Sequence, residues 1–259
     1  MKRIAISNLC WQEQDRQQAL QLLSRLKIKN IELAITKEVG MWGSFSHKDV
    51  ANLKEELKNN NLTTVSLQSL FYGLPYSVFQ DKEKFIEHFK RVIEYSRILG
   101  NKYLVFGSPK NKKMRGMDIN ACNEKFIEVF SEIAQIDPET TIGIENTPKI
   151  YGADFLNTYE ECLNIVNKIN KSNIICHFDT GCIENSGGKY EDIFSKQKND
   201  IKMVHVTTLN LKTIHKDEKL KRFVEKQLGN TDIAVSLEAL NLELSEIQKS
   251  LKIILGDIH

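Results

Sequence analysis

The sequence predicts a single-domain (β/α)8 barrel of the α/β class. Three observations carry that prediction: strand-like apolar runs alternate with helix-period segments from end to end, eight such units can be counted, and no Pro- or Gly-rich linker divides residues 1–259. Alternating β and α elements imply a parallel sheet with right-handed crossovers, and eight units in about 250 residues close more naturally than they spread. An open doubly wound sheet is the structural alternative. The first strand-to-helix junction, Ile6 to Trp11, lacks the Gly-rich turn that nucleotide-binding versions of that fold use.

Taken in order, the first strand runs from Arg3 to Ser7 and leads to a helical segment from Asp15 to Leu26. The second and third strands, Asn30 to Ala34 and Thr63 to Ser69, flank a helix from Lys48 to Asn59. The helix from Lys82 to Leu99 is the clearest. Its Phe85, Phe89, Val92, Ile93, Tyr95, Ile98 and Leu99 recur at spacings of three and four while Lys and Glu fill the other face, and Gly100 stops it. The fourth strand, Lys102 to Gly107, precedes a helix from Asn120 to Ile136; the fifth, Thr141 to Asn146, precedes Thr158 to Ile169. The sixth, Asn173 to Asp179, leads to Lys189 to Lys198. The seventh, Lys202 to Val206, leads through an irregular stretch from Leu209 to a basic helix, Lys216 to Leu228. The eighth strand, Ile233 to Leu237, and a helix from Ser245 to Leu255 complete the count.

Composition narrows the class. Thirty-six Lys and Arg against 34 Asp and Glu leave a net charge of +2, which offers no global attraction to nucleic acid or an anionic membrane. No run approaches the roughly 18 apolar residues of a membrane span, and the first strand is too short for a signal-peptide core. Five cysteines, Cys10, Cys122, Cys162, Cys176 and Cys182, form no CxxC pair and read as reduced thiols. A soluble cytoplasmic enzyme or binding protein is expected.

Four polar residues interrupt the apolar runs of the second half: Glu145, Asp179, His205 and Glu238. A lone ionised carboxylate in such surroundings is normally paired, protonated or metal-bound. All four fall at or near the carboxyl ends of the last four strands, which converge on one mouth in a βα barrel. Singly, each carboxylate reads more readily as a helix cap or a lysine partner, and His205 equally as a structural histidine or a ligand. Together they offer three carboxylates and one imidazole, a hard donor set suited to one Mn²⁺, Mg²⁺ or Co²⁺, with Zn²⁺ also admissible.

The segments Glu145-Asn-Thr-Pro148, Asp179-Thr-Gly181, Val204-His-Val206 and Leu237-Glu238 resemble those of the xylose isomerase-like TIM barrels. That superfamily, sugar phosphate isomerase/epimerase and AP endonuclease family 2-like, includes sugar isomerases, ketose 3-epimerases, hydroxypyruvate isomerase, dehydroshikimate dehydratase and endonuclease IV. The resemblance covers nearly the whole chain, and intervals of 34, 26 and 33 residues between the four positions are of the kind the epimerase branch shows. It implies that Glu145, Asp179, His205 and Glu238 are metal ligands, that Glu145 and Glu238 also act as acid and base on opposite faces of the substrate, and that the protein is often a dimer or tetramer.

Two departures separate the chain from ketose 3-epimerases. Cys182 stands where they carry a substrate-contacting histidine, and Thr207 and Thr208 follow the strand-seven histidine where charged residues are usual, the first base being Lys212. The three-zinc site of endonuclease IV needs histidines where this chain has Gln68, Gly107 and Cys182, which argues against a phosphodiesterase.

The first half of the barrel is expected to bind substrate through Glu32 and Gln68, with Phe71 and Tyr72 on a loop that either closes as a lid or covers the rim. Lys110 or Arg115, in the basic loop after strand four, could hold a sugar phosphate or sugar acid, although such a run is more commonly a solvated surface. Trp11 and Trp42 offer flat surfaces near the same rim or pack against their neighbours.

The expected activity is metal-dependent isomerisation or epimerisation of a small sugar or sugar phosphate through an enediolate. A metal-dependent lyase of the dehydroshikimate or keto-inositol dehydratase kind, or a non-catalytic sugar-binding barrel, are the alternatives.

Overall fold

The computed structural model describes residues 3–229 and 231–256. Met1 and Lys2, and Asn230 at the end of the segment expected from Leu209, lie outside them. Nine strands occur among the described residues: β1 (Ile4–Ser7), β2 (Asn30–Ala34), β3 (Thr63–Gln68), β4 (Tyr103–Phe106), β5 (Thr141–Ile144), β6 (Ile174–Cys176), β7 (Phe178–Asp179), β8 (Met203–Val206) and β9 (Ala234–Leu237). Every pairing is parallel, in the order β6-β5-β4-β3-β2-β1-β9-β8-β7. The two ends of that order, β6 and β7, are halves of the single expected sixth strand, separated only by His177. The His177 amide still donates to Ile144 O at 2.9 Å, so the ladder continues through the break and eight strand positions surround one axis.

The period of two sorts the strand residues. Leu104, Phe106, Ile142, Ile144, Phe178, Val204, Val206, Val235 and Leu237 point outward and join one large core with the helices. Tyr103 and Val105, with Met203 and Ala234, form a small separate plug inside the barrel, with Val65 and Ile175 packed against it. One step further along the same inward faces stand His177, His205 and Ser236, and one step beyond are Gly107, Asp179 and Glu238. A polar layer therefore rests on an apolar floor at the carboxyl ends of the strands.

Ten α-helices occur among the described residues. α1 (Arg16–Arg25), α3 (His47–Asn59), α4 (Lys82–Leu99), α5 (Ile119–Ile136), α6 (Tyr159–Ile169), α8 (Tyr190–Gln197) and α10 (Leu244–Leu255) fall where the hydrophobic periodicity places them. Capping explains several of the starts: Ser46 with Asp49 and Thr158 with Glu161 form capping boxes. α4 ends at Gly100 with φ 84°, a left-handed stop that glycine adopts without a steric penalty. Its face packs Phe85 and Phe89 against Phe106 and Phe130.

The short helices α2 (Thr36–Val39) and α7 (Thr180–Asn185) are absent from the sequence prediction, because four to six residues carry too little periodicity to stand out. The expected basic helix from Lys216 becomes α9 (Glu218–Phe223) followed by a π-helical turn, Val224–Leu228. No helix among the described residues is long and apolar enough to cross a membrane.

Candidate metal centre

The structure brings Glu145, Asp179, His205 and Glu238 together. One donor atom from each lies within 4.8 Å of the others, close to the span of a shell whose metal–donor bonds are about 2.0–2.2 Å. His205 on β8 is the hub. Its Nδ1 lies 2.9 Å from Glu238 Oε2, 3.8 Å from Glu145 Oε1 and 3.8 Å from Asp179 Oδ2, yet it has no hydrogen-bond partner. A buried ring nitrogen close to three carboxylates, with none of them in line for a hydrogen bond, is the arrangement a cation completes.

Each member is held by its own surroundings. His205 Nε2 sits 2.9 Å from Glu32 Oε1, which leaves Nδ1 for the cluster. Glu32 is fully enclosed and accepts further bonds from Ser66 Oγ at 2.7 Å and Ser236 Oγ at 3.0 Å. Burial pushes the Glu32 carboxyl up, but His205 and the two hydroxyls outweigh it and hold it below the usual range. Asp179 Oδ1 accepts from the Cys182 amide and, at 2.7 Å, from Thr207 Oγ1, so Oδ2 faces His205. Thr207 in turn accepts from the Gly181 amide at 2.7 Å. The residue after Val206 thus supplies a hydroxyl that orients the aspartate.

Glu145 occupies space that Gly107 leaves free: a Cβ at Gly107 would fall 2.3 Å from Glu145 Oε2. Beneath it, Lys112 donates from Nζ to Glu145 O at 2.7 Å and is fully buried. Burial lowers the Lys112 pKa, a shift opposed by the fields of Cys162 and Glu145.

Negative charge dominates the cluster. Burial, then Asp179 and Glu238, hold the Glu145 carboxyl well above its ordinary range. Burial and Glu238 likewise push Asp179 to about 6. Burial would lower His205, but Glu32 and Glu238 outweigh it and raise it. Three carboxylates against one imidazole form a site short of positive charge, so the donor chemistry fits a divalent cation. The residues that would hold it are Glu145, Asp179, His205 and Glu238.

Exposure divides the four. The side chains of Glu145 and Glu238 keep 16% and 11% of their surface, whereas Asp179 and His205 keep 3% and 1%. Only the two glutamates present appreciable surface to a molecule entering the mouth.

The residues expected to bind substrate are placed differently. Glu32 is not at the surface of the mouth; it lies below His205, because its inward register in the middle of β2 puts it under the cluster rather than at a strand end. Gln68 is buried and donates to Ser7 Oγ at 2.8 Å. Lys110 is exposed and lines a cleft of about 590 Å³ with Ser69, Phe71, Tyr72, Pro109 and Asn111. Arg115 turns elsewhere, with Nη1 3.1 Å from Gln80 Oε1. Cys182 is half-buried in the first turn of α7, where burial and the neighbouring carboxylates keep its thiol protonated.

Phe71 is core, stacked on Phe85 with centroids 4.3 Å apart, and Tyr72 alone of that pair is exposed, at 65%. Trp11 is enclosed, and Trp42 packs edge-on against His88.

Two residues of the site escaped the sequence reading. Lys112 is hidden in a basic run where its neighbours look alike, and only its place below Glu145 distinguishes it. His177 did leave a signal: it stands two residues before Asp179, on the same inward face.

The family model described as xylose isomerase-like TIM barrel matches residues 20–241. No curated protein matches the chain by sequence. Among solved structures, an AP endonuclease, family 2, from Brucella melitensis is similar at 17% identity, with 97% of this chain and 98% of that chain covered and a TM-score of 0.77. D-psicose 3-epimerase from Clostridium cellulolyticum H10, solved with D-tagatose, shares 13% identity over 98% and 90% of the two chains, with a TM-score of 0.75. The IolI protein with a bound zinc atom shares 19% over 99% and 97%, with a TM-score of 0.70. At these identities the likeness establishes the fold.

Proposed function

The chain belongs to the xylose isomerase-like TIM barrel family, and from that premise we propose that it is a divalent-metal-dependent isomerase or epimerase of a small sugar or sugar phosphate. The observation that carries the reading is the division of exposure within the cluster: Glu145 and Glu238 reach the mouth while Asp179 and His205 are closed off behind them. A cation held by the four residues would supply Lewis acidity at a substrate carbonyl and the neighbouring hydroxyl.

The remaining chemistry belongs to the chain. One glutamate takes the proton from the carbon next to the carbonyl, leaving an enediolate, and a proton returned by the other glutamate, or by the same one, completes epimerisation or isomerisation. Glu145 follows β5 and Glu238 follows β9, strands that flank β8 and its His205 from opposite directions around the barrel, a placement that supports delivery to different faces of a bound sugar. Asp179, fixed by Thr207 and the Cys182 amide, and His205, fixed by Glu32, keep the donor set in place and do not move protons. The zinc named with IolI and the sugars named with the epimerases support this cofactor and substrate class. The substrate is accordingly a free small molecule.

The test is a panel of ketoses, aldoses and their phosphates incubated with Mn²⁺ in heavy water and followed by NMR. Deuterium entering a product of unchanged formula is expected, and Glu145→Gln and Glu238→Gln should each reduce turnover by about 10²–10⁴. Release of water would replace the reading with a dehydratase. Full activity in Glu238→Gln would remove that residue from the chemistry.

A further inference from the structure

Below Glu145 lies a polar pair that the proposed reaction does not use. The imidazole of His177 is fully enclosed. Its Nδ1 is 3.0 Å from the Tyr103 hydroxyl, while its Nε2 has no hydrogen-bond partner and faces Glu145 Oε1 at 3.9 Å. Its ring meets that of His205 edge-on, with centroids 4.0 Å apart. Space for the pair is made by Gly143 on β5, where a Cβ would fall 2.7 Å from the Tyr103 hydroxyl and 3.0 Å from His177 Cβ. Inward positions on β4, on β5 and in the break between β6 and β7 thus interlock around one polar contact in the floor of the barrel.

We infer that Tyr103 and His177 are a positioning pair for Glu145, in which the phenol donates to His177 Nδ1 and the imidazole directs its Nε2–H at the carboxylate. A neutral imidazole carries one donor and one acceptor, and a phenol can serve as either. With Glu145 ionised, as a bound cation would keep it, a proton on Nδ1 would turn the Nε2 lone pair toward a carboxylate oxygen 3.9 Å away, a repulsive contact. The opposite tautomer gives every group a partner of opposite sign. At that distance the contact is electrostatic rather than a hydrogen bond, and it acts on orientation. Glu145 Oε1 lies 3.8 Å from His205 Nδ1 and 3.9 Å from His177 Nε2, so both imidazoles stand beside the same carboxylate oxygen.

Donor atoms of Glu145, His177 and His205 also lie within 4.8 Å of one another. Direct ligation by His177 would need the same Nδ1 of His205 that serves the four-residue set, since Glu32 occupies Nε2. The two sets cannot be filled together.

The inference rests on Glu145 belonging to the cation site, and its test separates the two. In metal-free protein labelled with ¹⁵N-histidine and kept alkaline enough to ionise Glu145, long-range ¹H–¹⁵N spectra should show His177 as the Nε2–H tautomer, with that preference weakened in Tyr103→Phe. An Nδ1–H tautomer in the wild type, or an unchanged one in Tyr103→Phe, overturns the pair whatever the protein catalyses. By calorimetry with Mn²⁺, His177→Leu should bind about tenfold more weakly or worse. His177→Gln, whose amide N–H reaches the Nε2 position, should recover most of the loss. Equal affinity in wild type and His177→Leu overturns the inference. A wild type that binds no Mn²⁺ defeats the proposed function, and the tautomer measurement still decides this one.

Discussion

His88 makes the fold acid-sensitive in a way that can be isolated. The residue lies on α4, buried with its ring edge-on to Trp42 and to Phe71, each at a centroid distance of 4.6 Å, and its Nε2 donates to Leu70 O at 2.7 Å. Burial, with some repulsion from Arg91, pushes its pKa down to about 4 despite the Leu70 bond. The unfolded chain titrates this group near 6.5, so between pH 6.5 and 4 the unfolded state binds more protons than the native one. Stability from neutral His88 is therefore complete above pH 6.5 and is lost as pH falls through that window. The full shift corresponds to about 3 kcal/mol, of which about 2 kcal/mol is lost by pH 5. Urea unfolding of wild type and His88→Gln at pH 7.5 and pH 5.0 reads this out, because subtracting one protein from the other cancels every other titrating group. The variant is less stable at pH 7.5, having lost two aromatic contacts, but its deficit should shrink by about 2 kcal/mol at pH 5.0. Parallel losses in the two proteins would show that His88 is not held neutral by its surroundings, and the argument from burial would fail.

Other outcomes follow from the metal centre. Glu32→Gln weakens the hold on His205 Nε2 and should lower Mn²⁺ affinity about 10–100-fold in calorimetry; an unchanged affinity would separate Glu32 from the site. Gly107→Ala places a methyl group 2.3 Å from Glu145 Oε2, the free end of a side chain that can swing aside. The expected result is a small change in thermal stability with a loss of turnover on the order of 10²-fold, and a variant of normal activity would show that the Glu145 position is not critical. Mn²⁺ at about 100 times its dissociation constant should stabilise the protein by about 2.7 kcal/mol, raising Tm by roughly 5–10 °C in a scanning experiment. EDTA should reverse the rise, and the absence of any rise would argue against a cation at the cluster.

The sequence by itself determined the barrel. Long, strongly periodic elements such as α4 over Lys82–Leu99 and β2 over Asn30–Ala34 carry a bias that tertiary packing only reinforces, so their bounds are readable residue by residue. It also singled out Glu145, Asp179, His205 and Glu238, because a polar side chain inside an apolar run is conspicuous in one dimension. What it could not reveal is which face each inward residue takes and what lies beside it. Glu32 was visible as a carboxylate, but only the register of β2 against β1 and β3 puts it enclosed beside His205 instead of at the surface of the mouth. Lys112 looks like its basic neighbours until the loop after β4 folds under Glu145, and the partnership of Tyr103 with His177 spans 74 residues of chain. Local pattern reports what a residue does to its own segment. The charge balance of the centre depends on groups brought within about 4 Å from separate strands, where Coulomb energy rises as distance falls, and only the closed barrel sets those distances.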